Sequence, residues 1–486
     1  MSWTRAAVGL VAVAAAGGLL VSGGSGADPE TPRGLRGLPA PFLGTTVVGS
    51  GGLTVAVDAY GDVVDLRAPG PAGRALIDNP AARQTAGTVA ADTGIVPWVR
   101  IGRGPALPPW RGDQIRQRYL PGTNVLVTAV RFGRVRVRIT YAAGDSRLAC
   151  LTATTDGTRV ELRSHEPEAE KRLRCDDGTA RRIVRAAARS DRRWLRRARP
   201  LAPSAPPWAL RMYERSLLVL RALSDRRSGA VAAGARDGWA YVWPRDAATG
   251  ALAFAAGGYR AEARRSAGFL LGLDLQSAAR FYGDGKPVPG RGPQGDAVGW
   301  VAAAAHVVGL APPPRLPWRN LPDYQEGEAG DYLGNAIAAG GTELSLYGGE
   351  SSRRLVRRLD DPGSGLDSAA AWAVEPFEIR PLFPAARETM VALVRGGGRF
   401  GITPNEDWSG IDPWSAPTAW TAWSLAALGE RRQALRLLAD LRRAATPAGT
   451  LPERVDFRTG IPTSTTPLAW SHAFVILALQ ELWPGR

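Results

Sequence analysis

The spacing of apolar residues changes from two to about 3.6 near residue 178, and no single regular architecture accommodates both periods. From Pro41 to about Ser164, short Val, Ile, Thr and Leu runs are broken by Gly, Pro, Asn and Asp. Val135-Arg-Val-Arg-Ile139 alternates strictly, with one apolar and one charged face. Residues 41–178 are therefore expected to form an antiparallel β-sandwich. Residues 179–206 open with a dense arginine stretch of helical period, TARRIVRAAARSDRRWLRRAR, and close on LAPSAPP, a basic linker helix followed by a break.

From 207 to 486 the texture stays helical. The pattern predicts helices at 207–224, 246–257, 260–273, 294–309, 330–340, 344–359, 366–375, 384–396, 415–428, 431–445 and 467–482, while APPPRLPWRN at 311–320 interrupts the series. So many similar helices joined by Gly/Pro/Trp-rich loops predict an all-α (α/α)6 toroid, a barrel of paired helices. Such a barrel carries its functional residues in the loops at one end.

Charge narrows the partners. The chain has 61 Lys and Arg against 45 Asp and Glu, a net +16, and its only lysines are Lys171 and Lys286. Arginine spread along the whole chain reads as solvated surface rather than a nucleic-acid site, and the 179–199 helix is the one stretch whose density suits peripheral contact with an anionic cell envelope. Residues 6–22 are apolar behind Arg5 and lead to Ser25-Gly26-Ala27, which predicts a signal peptide over 1–27, with a retained membrane anchor as the alternative. A Pro/Gly linker at 28–40 follows. Export makes a Cys150–Cys175 disulfide the expected state, against two separate buried thiols. With two cysteines and three histidines, no structural or catalytic zinc site is expected.

Five motifs sit in loops that enter helices. Asp237-Gly-Trp-Ala-Tyr-Val-Trp-Pro-Arg-Asp246 joins indoles, a guanidinium and a carboxylate, a mixture suited to a pyranose, whose apolar face stacks on rings while its hydroxyls take bidentate bonds. Taken alone, Asp246 would be a helix cap and the tryptophans core. The others are Gly290-Arg-Gly-Pro-Gln-Gly-Asp296, Leu321-Pro-Asp-Tyr-Gln-Glu-Gly-Glu328, the Gly397-to-Trp414 stretch GGRFGITPNEDWSGIDPW, which contains Arg399, and Gly449-Thr-Leu-Pro-Glu-Arg-Val-Asp456 with Thr466-Pro-Leu-Ala-Trp-Ser-His472.

In this order the motifs resemble glycoside hydrolase family 15, the glucoamylase family, over nearly the whole ordered chain. YVWPRD, and LPERVD followed by TPLAWSHA, carry most of the resemblance. It implies that Arg245 and Asp246 grip the terminal sugar, that Asp296 and Arg399 assist, and that Trp243, Trp414 and Trp470 line the pocket. Glu326 matches the general acid, with Glu328 as the alternative, and Glu453 the general base. The family's Trp-Glu-Glu at the acid is Gln325-Glu326-Gly327 here, without the aromatic and the second carboxylate.

The resemblance further implies an exo-acting, inverting hydrolase that needs no cofactor and releases glucose from the non-reducing end of an α-linked oligo- or polysaccharide. The carboxyls of such an enzyme stand roughly 6.5–9.5 Å apart, one protonating the leaving oxygen and the other activating water. The loss at 325–327 motivates a rival expectation, a glycan-binding envelope protein impaired in catalysis.

Overall fold

The computed structural model describes residues 37–39, 41–78, 94–155, 157–164, 166–236, 238–314, 321–324, 333–335, 337–338, 366–406, 408 and 410–485. Residues 1–27, most of the 28–40 linker and the predicted helix at 344–359 lie outside them.

Twelve strands precede the helices: β1 (Gly44–Gly49), β2 (Thr54–Asp58), β3 (Val63–Ala68), β4 (Arg74–Asp78), β5 (Ile95–Ile101), β6 (Ala106–Leu107), β7 (Gln114–Tyr119), β8 (Leu126–Phe132), β9 (Val135–Ala143), β10 (Leu148–Thr154), β11 (Thr158–Ser164) and β12 (Leu173–Cys175). One sheet runs β1-β2-β3-β5-β11, with β4 on β3 and β6 on β5, and the other runs β12-β10-β9-β8-β7. All pairs are antiparallel except β10 with β12. The sheets share one core, to which Val48, Val55 and Ile95 come from the first and Ile115, Leu126 and Val137 from the second. In β9 the period of two does what the sequence requires, burying Val137, Ile139 and Tyr141 and exposing Arg136 and Arg138.

A short helix, α1 (Pro167–Arg172), interrupts this region between β11 and β12. Cys150 and Cys175 stand opposite each other across the β10–β12 pair, and their thiols are hydrogen-bonded. Both are free in this structure, so register supplies the proximity that a disulfide needs without the bond itself.

The helices that follow are α2 (Gly178–Leu195), α3 (Pro207–Ala222), α4 (Pro244–Ala256), α5 (Arg260–Leu271), α6 (Ala297–Val307), α7 (Phe383–Gly396), α8 (Ser415–Ala427), α9 (Arg431–Ala444) and α10 (Ala469–Leu482). Asp177 caps α2 by accepting from the Ala180 amide. Helices α4, α8 and α10 are buried on nearly every side, as their Ala/Leu-rich sequences demand, and α10 packs on α3, α4 and α8. The outer helix α9 buries Leu437, Leu438 and Leu441 and turns its arginines outward.

Residues 333–335 and 337–338 are helical. The helix expected at 366–375 is instead a 3-10 turn at Ser368–Ala373, started by the Asp367 carboxylate on the Ala369 amide. Pro376 disfavours helical backbone at Glu375 and stops its extension. Residues 311–314 have no regular structure. No helix among the described residues is long and apolar enough to cross a membrane.

A buried polar seam ties the sheets to the helices. Asn124 donates to the Gly49 and Leu218 carbonyls and accepts from Arg215, whose guanidinium lies 3.6 Å over Tyr119. Asp191 accepts from the Asn124 amide and from Arg221. Thr450, three residues before Glu453, donates to the Thr45 carbonyl. The β region therefore anchors the loop that carries Glu453.

Candidate active site

A cavity of about 510 Å³ opens among the loops that precede α4, α8 and α10. Proline fixes the first of these entries: Trp243 is the cap residue of α4, Pro244 its first helical residue, and Arg245 and Asp246 complete the opening turn. Trp414 and Leu468 occupy the equivalent positions before α8 and α10, with Trp470 in the first turn of α10. Isolated bridges Ile402–Trp414 and Trp414–Arg454 close the fourth motif on itself and join it to the fifth.

Arg245 is almost wholly buried. Its Nη1 donates to Gln294 Oε1 at 2.9 Å and to Asp296 Oδ2 at 2.8 Å, Nη2 lies 3.6 Å from Asp246, and the guanidinium sits 4.6 Å over the Trp470 ring. Burial opposes this charge, but Asp296 and Asp246 outweigh it and hold the group protonated. Burial also pushes the Asp246 carboxyl up to about 7, with Glu453 and Asp296 adding to the rise against the pull of Arg245. Asp246 can thus donate as well as accept near neutral pH. Asp296 lies behind Arg245 and orients it without lining the cavity.

Glu453 lines the same cavity. Trp239 Nε1 donates to its Oε1 at 3.3 Å, Ser464 Oγ donates to Oε2, and Arg454 Nε lies 3.9 Å away. Its amide donates to the Thr465 carbonyl and its carbonyl accepts from the Ser415 amide, so both backbone groups are held. His472 braces the same loop. Its Nε2 accepts from the Leu451 amide, which leaves Nδ1 to donate to Ser216 Oγ, and burial drives its pKa down to about 3. It is a neutral structural group rather than an acid or base.

Five indoles, Trp239, Trp243, Trp408, Trp414 and Trp470, line the cavity together with Tyr324, Arg280, Arg291 and Arg454. Burial and the neighbouring Arg280 both depress the pKa of Arg291. Behind them, Trp300, Trp372 and Trp420 are fully buried in an aromatic core that reaches Trp470 and Tyr324. These eight tryptophans therefore divide between wall and core.

Of the residues singled out from the sequence, Trp243, Arg245, Asp246, Trp414, Glu453 and Trp470 line this cavity. Arg399 does not. Its segment turns back through the Gly398–Gly401 bridge, its guanidinium rests 5.5 Å over Phe400, and it lines a second hollow of about 470 Å³ that shares Trp408 with the first. Glu326 and Glu328 lie outside the described residues, as does Asp237; Tyr324, where the described chain stops before them, is part of the cavity wall. Sequence reasoning missed Trp239, Trp408 and Ser464. The two tryptophans stood inside quoted motifs, whereas nothing local distinguishes Ser464. Among the described residues no group of three or more His, Cys, Asp or Glu side chains could hold a metal ion.

No family model and no curated protein matches the chain. Solved structures do. A bacterial glucoamylase complexed with acarbose superposes with a TM-score of 0.64 at 11% identity, covering 92% of this chain and 94% of its own. A wild-type glycosidase (TM-score 0.44, 21% identity, 56% of this chain and 96% of its own) and the glucoamylase of Saccharomycopsis fibuligera (0.43, 14%, 58% and 96%) also match. Along 92% of its length, this chain has a glucoamylase-like fold.

Proposed function

We propose that the chain is an exo-acting, inverting glycoside hydrolase that releases glucose from the non-reducing end of an α-linked oligo- or polysaccharide, with Glu453 as general base and Glu326 as general acid. One observation carries the reading: the Glu453 carboxylate, the Arg245–Asp246 pair and five indoles share one sugar-sized cavity. Rings offer stacking faces to a pyranose and the Arg/Asp pair offers bidentate bonds to its terminal hydroxyls, which would close one end and make attack exo-acting. Trp239 and Ser464 hold the Glu453 carboxylate in place, so that an attacking water could give up its proton there.

The acid assignment rests on the sequence together with Tyr324 standing in the wall two residues ahead of Glu326. Arg399, in the neighbouring hollow, belongs to a site beyond the cleaved bond in this reading. The matching architecture is a β-sandwich over 41–178, a basic linker helix over 179–206 and an (α/α)6 catalytic barrel over 207–486. Residues 1–27 act as an export signal, and catalysis takes place outside the cytoplasm. The 92% coverage by a glucoamylase complexed with acarbose supports a glucoside in the cavity.

The test is hydrolysis of α-1,4, α-1,6 and α,α-1,1 disaccharides and of α-glucans, with the released anomer followed by NMR. β-Glucose should appear first. Glu453→Gln and Glu326→Gln should each lower turnover by about a thousandfold or more without unfolding the protein. A retained anomeric configuration, or full activity in either variant, overturns the mechanism; tight glucan binding with no turnover favours the impaired glycan-binding protein.

A further inference from the structure

The outer face of the five-stranded sheet carries a cluster of like charge. Alternation in β7, β8 and β9 sends Ile115, Tyr119, Leu126, Val130, Val137 and Ile139 into the core. The opposite positions carry Arg116 and Arg118 on β7, Arg131 on β8, and Arg136 and Arg138 on β9, all exposed. Register makes them a patch. Arg131 stands directly opposite Arg136, and Arg116 and Arg138 flank Ala129 on the same row.

The other outward positions of these strands are Gln114, Val127, Ala129, Thr140 and Ala142, so the face holds no acid. None of the five guanidinium groups has an ion-pair partner among the described residues. Asp113, just ahead of β7, spends its carboxylate on the Gly133 amide. Helix α2 packs on this same face, Ile183, Val184 and Ala188 covering Val125 and Ala142, and leaves Arg181, Arg185 and Arg189 exposed beside it.

Like charges directly opposite each other destabilise an antiparallel pair. Protection of a sheet edge accounts for charge on β7, but β8 and β9 are interior strands with no edge to protect. We propose that this face binds a linear acidic polysaccharide. Along a strand, side chains on one face repeat at roughly 6.7 Å and neighbouring strands lie about 4.8 Å apart, so the arginines form a lattice that a chain of regularly spaced carboxylates can follow. The surface has no aromatic residue on which unstacked bases could lie, and a five-stranded sheet is too broad to enter a nucleic-acid groove. Its apolar outward side chains are small, which gives it nothing to insert into a bilayer.

The experiment is equilibrium binding of the full chain to polygalacturonate, to a single-stranded oligonucleotide and to phosphatidylglycerol vesicles, at equal charge concentration and over a range of NaCl. Because it needs no turnover, its outcome is independent of the hydrolase reading. Polygalacturonate should bind tightest and weaken steeply with salt. The triple variant Arg116→Gln, Arg131→Gln, Arg138→Gln should lose about tenfold or more in affinity while keeping the wild-type melting temperature. A control that removes equal charge from the helical region, Arg395→Gln, Arg432→Gln, Arg436→Gln, should stay within about twofold. Equal losses in the two variants, absence of polygalacturonate binding, or tighter binding of the oligonucleotide or the vesicles would overturn the proposal.

Discussion

Two pairs of buried carboxylates lie in different halves of the molecule and are neutralised in different ways. In the cavity, Asp246 and Asp296 flank a buried guanidinium, Arg245. In the β region, Asp58 and Asp62 lie fully buried at the β2–β3 turn with no cation among the described residues. Asp58 instead accepts from the Phe42, Tyr60, Gly61 and Asp62 amides, and burial still pushes it up to about 6 and Asp62 further. A cation keeps charge in place for recognition, whereas a proton retained through burial only closes a turn, and it leaves with rising pH. The difference separates a site built for a ligand from one built for the fold.

Breaking the cation side should have the largest effect. Arg245→Met leaves two buried carboxylates without their counter-charge, so the protein should lose about 3–5 kcal/mol of stability in chemical denaturation and all measurable activity. Arg245→Lys, which keeps the charge but cannot reach Gln294, Asp296 and Asp246 together, should fold better and remain a poor enzyme. Activity near wild type in Arg245→Lys would remove the fork from the recognition argument.

The proton side predicts a pH dependence of fixed sign. The folded pKa values of Asp58 and Asp62 lie above that of an unfolded aspartate, so the folded state retains protons that the unfolded chain releases. The stabilisation is complete below about pH 4 and is lost as pH rises through about 6. Asp62→Asn should flatten the fall in melting temperature between pH 4 and pH 8 and raise it at pH 8 by about one degree, roughly 1 kcal/mol. Parallel pH curves for variant and wild type in scanning calorimetry would show that Asp62 retains no such proton.

An exposed pair sets the lower bound of the comparison. Arg387 and Glu430 form an ion pair between α7 and the loop before α9, with the arginine half exposed. Arg387→Ala should change stability by no more than about 0.5 kcal/mol, because water already solvates the half-exposed arginine. A change as large as that of Arg245→Met would mean that pairing, rather than burial, sets these energies.

How much of this was legible depends on whether the partners are neighbours in sequence. Trp243, Arg245 and Asp246 were readable because a Pro-led helix start holds all three within one turn. Asp296 was readable as a candidate, but its task behind Arg245 depends on a contact across 51 positions. Ser464 offered no signal, since a serine becomes a clamp only when a loop brings it to Glu453. Arg399, carried by resemblance, went to the adjoining hollow because a glycine-rich hairpin turned its segment away. The sheet arginines were visible as an alternation along β9, while their lattice required the register of three strands.

By itself the sequence determined the two periods, and with them the strands, most helix starts and the loops that bear aromatic and charged residues; these follow from steric and hydrophobic preferences acting within a few residues. Tertiary structure alone decided that Glu453 and Arg245 line one cavity, that Trp470 is wall while Trp420 is core, and that Asp58 and Asp62 have no cation among the described residues. Desolvation and electrostatic coupling depend on distances between segments far apart in the chain, and folding sets those distances.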